Sequence, residues 1–244
     1  MRSFVKSGAL DAIRAAGGEL FGLTSEPQSL ATEAEQAWEL GYPCIGDPHH
    51  EIKDHCREKG LLSFFANENS GHLWMRSWAS HPKGYYQPAV LAVHRDGRVL
   101  YRWRCRPTHE NMSGAGQRPT PQHVWQEIEA RLGKDAPDAE LDDAPEFRRK
   151  DASWPMFVGL MLAHGWFLRP RAFPLPREGD RPSVPPQRMR RRVAVFVAAW
   201  IAAFAFLPTA WVAGAFALWA LVAGAGVAQV NRWFQNIPEG EPDG

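Results

Sequence analysis

The chain has 244 residues, 45% of them hydrophobic and 23% charged, with a formal net charge of +1. That composition is globular and excludes collagen-like, mucin-like and wholly disordered chains. The average hides a division: residues 193–230 contain no charged side chain, whereas 169–192 hold eight Arg and six Pro, which excludes a single uniform soluble domain as well.

Lys6, Asp11, Arg14 and Glu19 interrupt any apolar run at the start, so no secretory signal peptide is expected. Residues 10–16 read as the end of a helix stopped at Gly17-Gly18, and 19–24 as a short strand closing in Ser25-Glu26-Pro27. Ser25 is the expected N-cap of the next helix. Glu26 and Pro27 fall in its first turn, Ala31, Ala34 and Trp38 come next, and Gly41 stops it. A second strand, 42–46, leads to Asp47-Pro48, which opens a helix running to Lys59 with Gly60 as its end signal. Strand, helix, strand predicts a right-handed parallel crossover.

Residues 61–87 scatter Phe64, Phe65, Trp74, Trp78, Tyr85 and Tyr86 among Gly, Ser and Asn without a clean period, and read as a long, partly buried connection. The runs 89–94 and 98–105 then flank Arg95-Asp96-Gly97, a strong hairpin signal. Residues 121–132 predict a helix with Val124, Trp125, Ile128 and Leu132 on one face, ending at Gly133. Residues 134–150 read as an acidic linker that separates this α/β domain, 1–133, from the C-terminal segments.

This order of elements resembles the thioredoxin-fold peroxiredoxins of the alkyl hydroperoxide reductase and thiol-specific antioxidant group. The resemblance covers 1–133 and rests on Thr24-Ser25-Glu26-Pro27, on Tyr42-Pro43-Cys44-Ile45-Gly46-Asp47-Pro48, and on Gln87-Pro88 leading into a hairpin with Asp96-Gly97. It implies an incomplete thioredoxin-like α/β fold. Pro88 falls where that fold carries a cis-proline beside its active site. The resemblance further implies thiol-dependent peroxide reduction with no metal or organic cofactor, and a thiol reductant as partner. Members place the reactive cysteine at the start of the helix after the first core strand, and no position of this sequence matches it. The central strand and the active-site turn of the resembled fold are missing too. Removing that strand leaves two open sheet edges, which the halves, a protein partner or a longer natural chain would fill; the last is the expectation. The resemblance thus implies a peroxidase-like domain inactive in this chain, the alternative being a noncatalytic binding or scaffold module.

Three thiols remain as candidates: Cys105, Cys56 and Cys44. A C-x-x-C pair is absent, so neither a disulfide framework nor a zinc ribbon is expected. Cys105 ranks first because Arg104 and Arg106 flank it, although strand neighbours point to opposite faces. Cys56 lies in the later half of its helix, where the macrodipole disfavours a thiolate. Cys44 reads as a small buried thiol in an apolar strand.

Asp47, His49, His50, Asp54, His55 and Cys56 crowd one helix, but His50-Glu51 and His55 miss the H-E-x-x-H spacing by one residue, so no metal site is expected. Arg102, Arg104 and Arg106 alternate along one strand, a basic stripe that reads either as an anion-facing surface or as a charge-protected strand. No nucleic-acid partner is expected. Asn111-Met112-Ser113 fits a glycosylation acceptor that would matter only in a lumenal domain.

Residues 154–168 form an uncharged segment expected as an interfacial or domain-capping helix. The stretch 169–192 should stay unfolded, with Arg188, Arg190, Arg191 and Arg192 drawn to lipid headgroups. Residues 193–230, broken at Pro208-Thr209, predict a transmembrane helical hairpin with spans at 193–207 and 210–230; one span from about 210 is the alternative. Arginines on both flanks place the α/β domain on the cytoplasmic side of a bilayer, and 231–244 form a polar tail.

Overall fold

The structure of the protein is a computed structural model that describes residues 2–67, 72–73, 76–77, 83–108, 111, 118–147, 153, 155 and 186–235. Met1–Asp151 with Phe234–Gly244 form one compact unit, and Ala152–Trp233 form a second.

In the first unit, helices α1 (Arg2–Lys6) and α2 (Ala9–Ala15) precede β1 (Gly22–Thr24), α3 (Gln28–Ala37), β2 (Cys44–Gly46) and α4 (Glu51–Glu58). β1 and β2 run parallel, with Gly22, Leu23 and Thr24 opposite Cys44, Ile45 and Gly46. α3 makes the crossover, and its Ala31 packs with Leu10, Leu40, Tyr42 and Cys44 in a buried cluster. The outer edge of β2 is closed by side chains. Gln28 Nε2 donates to the Cys44 carbonyl at 2.8 Å, its Oε1 accepts from Gly46 N at 2.8 Å, and Glu35 accepts from Cys44 N at 2.8 Å. A carboxamide therefore stands in for the peptide group of a further strand.

The region expected as a plain connection contains four short strands. β3 (Ala66–Asn67) pairs with β6 (Tyr85–Tyr86), and β4 (His72–Leu73) pairs with β5 (Arg76–Ser77), both antiparallel. β7 (Ala89–Val93) and β8 (Val99–Arg104) make the expected hairpin, with a bulge at Ala92/Val93. Gly97 closes its turn at φ +96, a conformation that glycine adopts without steric cost. Tyr101, Trp103 and Cys105 alternate inward from β8 onto Val124 of α5 (Pro121–Arg131). Thr120 caps α5 by accepting from His123 N at 3.2 Å.

Two expectations need correction here. The resembled thioredoxin fold would join the parallel pair and the hairpin in one sheet, but among the described residues β1–β2 and β7–β8 are separate two-stranded sheets. Among the described residues no strand bonds to both halves. The supposed acidic linker is also part of the domain. Ala139 N donates to the Val99 carbonyl and Asp142 N to the Arg102 carbonyl, each at 2.9 Å, so 138–142 lies parallel along the free edge of β8. Tyr101 Oη donates to Asp142 Oδ2 at 2.8 Å, and His123 Nε2 lies 2.8 Å from the same oxygen.

The second unit contains α6 (Pro186–Phe206) and, up to Trp233, α7 (Thr209–Gln235). α6 starts at a proline, whose missing N–H is unneeded in a first turn. Residues 186–192, expected to be unfolded, are therefore helical. Arg188, Arg190, Arg191 and Arg192 lie within α6, the last two exposed. The Pro208 carbonyl accepts from Trp211 N at 3.0 Å, starting α7. Phe196, Trp200 and Phe204, four apart on α6, meet Trp219 and Phe216 of α7 at ring separations of 5.2, 5.1 and 6.0 Å. The outward faces carry exposed Val195, Ile201, Trp211, Leu218 and Leu221.

The expectation of transmembrane spans is overturned: among the described residues no helix is long and apolar enough to cross a membrane. The arginines of the first two turns of α6 leave 193–206 as its apolar part, about 21 Å at about 1.5 Å per residue, short of a hydrocarbon core of about 30 Å. The reading as a multi-pass membrane protein with a cytoplasmic domain is withdrawn with it. The interfacial helix expected at 154–168 lies outside the described residues apart from Pro155, as does the tail beyond 235.

Candidate functional site

Buried polar side chains gather where β1 and β2 end. Ser25, Glu26, Asp47, His50, Lys53 and Gln87 are all buried, and all but the last come from the segment after β1, the segment after β2 or α4. The carboxyl ends of parallel strands are where α/β folds present ligand-binding groups, because the chain leaves the sheet there and opens a crevice. Glycine 46 brings the two strand ends together: a Cβ at this position would lie 2.5 Å from both the Glu26 carbonyl oxygen and Gln28 N.

Asp47 organises the cluster. Its Oδ1 accepts from Glu51 N at 2.8 Å, and its Oδ2 accepts from Ile52 N at 3.0 Å, from Lys53 N at 3.2 Å and from Tyr86 Oη at 2.5 Å. The carboxylate thereby satisfies three orphan donors at the start of α4 and anchors β6 to it. Burial, then the hydrogen bond and charge of Asp47, hold the Tyr86 phenol far above the ordinary tyrosine range. Tyr86 N in turn donates to Ser25 Oγ at 3.2 Å. Ser25 is thus a tie between β1 and β6. The expected N-cap of α3 is corrected: Pro27 occupies that position without a side-chain cap.

His50 precedes α4 in the left-handed conformation, φ 63, with its ring buried 4.8 Å from the Tyr86 ring and Nε2 3.3 Å from the Gly84 carbonyl. Non-glycine residues in this region are uncommon and collect at functional sites. Beside it is a cavity of about 330 Å3 lined by His50, Lys53, Asp54, Arg57 and Lys83. Lys83 Nζ donates to the His49 carbonyl at 3.0 Å, and Arg57 Nη2 lies 2.9 Å from Asp54 Oδ1.

The three thiols are dispersed. Cys44 is buried in β2, where burial and then the charge of Glu35 push its pKa up. Cys56 is half-buried on α4, raised by burial and by Asp47. Cys105 is buried just past β8, and burial pushes it up to about 11 although Arg118 opposes the shift. Arg104, which precedes Cys105 in sequence, acts elsewhere, as does Arg102. Arg104 Nη1 donates to the Ser63 carbonyl at 2.9 Å with its guanidinium 5.0 Å from the Phe65 ring centre, and Arg102 Nη1 donates to the Gly60 carbonyl at 3.2 Å. The alternating arginines thus clamp the chain after α4. Pro88 accepts from Cys105 N at 2.8 Å through its carbonyl, which brings these two candidates together in the backbone.

Asn111 is buried and makes a local turn, its Oδ1 accepting from Thr108 N at 2.9 Å and its Nδ2 donating to the Arg106 carbonyl at 2.6 Å. That placement argues against its use as a glycosylation acceptor. Of the crowded helix residues, Asp47 caps, His50 faces Gly84 and Asp54 faces Arg57; among the described residues no group of three or more His, Cys, Asp or Glu is placed to hold a metal. Sequence reasoning missed Tyr86, Ser25, Gln28 and Lys83. The signal available for Tyr86 was a tyrosine two residues before a proline in an aromatic run that otherwise lacked a period.

Comparison with protein-family models, with curated proteins and with solved structures finds no match to this chain.

Proposed function

We propose that the α/β unit is a noncatalytic ligand-binding module whose element order is related to that of the thiol-dependent peroxidases. The relation is supported by the parallel β1–α3–β2 crossover ending in Asp47-Pro48 and by the Pro88 hairpin with its Asp96-Gly97 turn. The observation that carries the noncatalytic reading is the state of the thiols: burial raises all three. The thiolate is the nucleophile toward peroxide, and reactive cysteines owe their low pKa to a helix N-terminus or a facing cation. None of Cys44, Cys56 and Cys105 lies at the start of a described helix, and the Arg118 charge does not offset the burial of Cys105. Cys105, pushed up to about 11 by burial, is held as the thiol at neutral pH. Binding is supported by the buried polar cluster at the ends of β1 and β2.

The test is intact-protein mass of the native chain after stoichiometric hydrogen peroxide and then a thiol-blocking reagent. All three thiols should react slowly, Cys56 ahead of the other two because it is half-exposed. Rapid gain of oxygen at one cysteine would overturn the proposal and restore peroxidase chemistry.

A further inference from the structure

We infer that the cavity between α4 and the turn ahead of β6 binds a small molecule through a phosphate monoester group. The inference rests on the noncatalytic binding reading and adds to it the chemistry of the ligand. At about 330 Å3, the cavity falls in the range of small-molecule sites, about 300–1,000 Å3.

The charges are matched to a dianion. Lys53, Arg57 and Lys83 line the cavity with one carboxylate, Asp54, so these four side chains carry two excess positive charges. Lys53 and Arg57 are four apart on α4 and therefore share a face. Lys83 comes from the turn ahead of β6, its ammonium bonded to the His49 carbonyl.

Lys53 is the most informative wall residue. Its side chain is only 9% exposed, yet its ammonium lies 3.9 Å from Asp54 Oδ1, while Arg57 approaches the same oxygen to 2.9 Å. The carboxylate is engaged mainly by Arg57. The stem of Lys53 is buried while its ammonium faces the cavity, where an anion would be a closer partner than the Asp54 carboxylate. A monocarboxylate would neutralise one charge, whereas a monoester dianion neutralises both. Lysine ammonium groups are rotatable point donors that suit the oxygens of a phosphoryl group. The amides of the first turn of α4 already serve Asp47, so the site depends on side-chain charge rather than on the helix dipole.

Calorimetric titration of the full chain with glycerol 3-phosphate, inorganic phosphate and glycerol tests this. The ester should bind saturably, glycerol should not bind, and raising salt from about 50 to about 200 mM should weaken the ester by screening. Lys53→Met should weaken binding at least tenfold and Lys83→Gln about threefold. If Lys53→Met lowers the folded signal in circular dichroism, Lys83→Gln and Arg57→Gln on the accessible rim decide. Absence of saturable binding at millimolar ester, or an affinity unchanged in the folded variants, overturns the inference; so does inorganic phosphate binding more tightly than the ester. Thiol labelling of the same preparation separates the two readings. Slow thiols without ester binding remove the ligand assignment alone, and a fast thiol removes the noncatalytic reading whatever the titration gives.

Discussion

The Tyr86 hydroxyl donates to Asp47 Oδ2 across 2.5 Å while the same carboxylate accepts the amides of Glu51, Ile52 and Lys53, so one side chain joins a β-strand to the first turn of a helix. Tyr86→Phe keeps the ring against His50 and Phe64 and removes only the hydroxyl. The variant should be destabilised by about 1.5–3 kcal/mol, the usual worth of a hydrogen bond to a charged group. Urea denaturation followed by circular dichroism measures this; an unmoved midpoint would mean that the amides alone hold Asp47.

Alkaline pH should unfold the α/β unit early. Tyr42, Tyr86 and Tyr101 are all pushed above the ordinary phenol pKa, first by burial, with hydrogen bonds to Asp47 and Asp142 adding for the latter two. The folded state therefore holds these protons more tightly than the unfolded chain. The resulting stabilisation is complete below about pH 10, the unfolded phenol value, and is lost as pH rises above it. In a Tyr85→Phe background, which leaves only these three of the four tyrosines, phenolate absorbance should grow in step with loss of ellipticity. Growth well before unfolding would contradict this, and Tyr101→Phe should flatten the decline in Tm.

Gly46→Ala tests the close approach of the strand ends. Its added Cβ would meet backbone atoms at 2.5 Å, and backbone cannot swing away as a side-chain tip can. A loss of about 1–3 kcal/mol is expected from such overpacking. Because Gly46 N also bonds Gln28 Oε1, amide exchange along β2 should quicken in the same variant. Wild-type stability and exchange together would show that the two segments separate without cost.

Arg104→Met distinguishes a structural clamp from an anion-binding stripe. The substitution keeps an apolar stem against Phe65 and removes the donor to the Ser63 carbonyl. A cost of about 1.5 kcal/mol is expected, with faster hydrogen exchange over 61–65 and none over β7. Uniform acceleration across the unit would contradict a local clamp.

What could be read from the sequence depended on the range of the interaction. The crossover helix, the Asp96-Gly97 turn and α5 arise from local spacing and turn chemistry, and they formed within a few residues of expectation. Ser25 was misassigned as a helix cap because its partner, Tyr86 N, is 61 residues away. The arginines of β8 looked exposed because an alternating pattern identifies a face without identifying its cover, here the chain after α4. Residues 134–150 looked like a linker because edge pairing uses backbone groups, which every sequence supplies. The lack of charge in 193–230 was plain to read, but residue count alone did not give a span once the arginine turns of α6 were set apart.

The pairing of 138–142 along β8 decides where the domain can be cut. A fragment ending at Gly133 would strip the partners from the Val99 and Arg102 carbonyls and leave Asp142 absent from the side of Tyr101 and His123. Such a raw edge templates strand addition from other molecules, so the shorter fragment should self-associate, whereas one carried through Phe147, which packs on Trp103, brings its own edge guard.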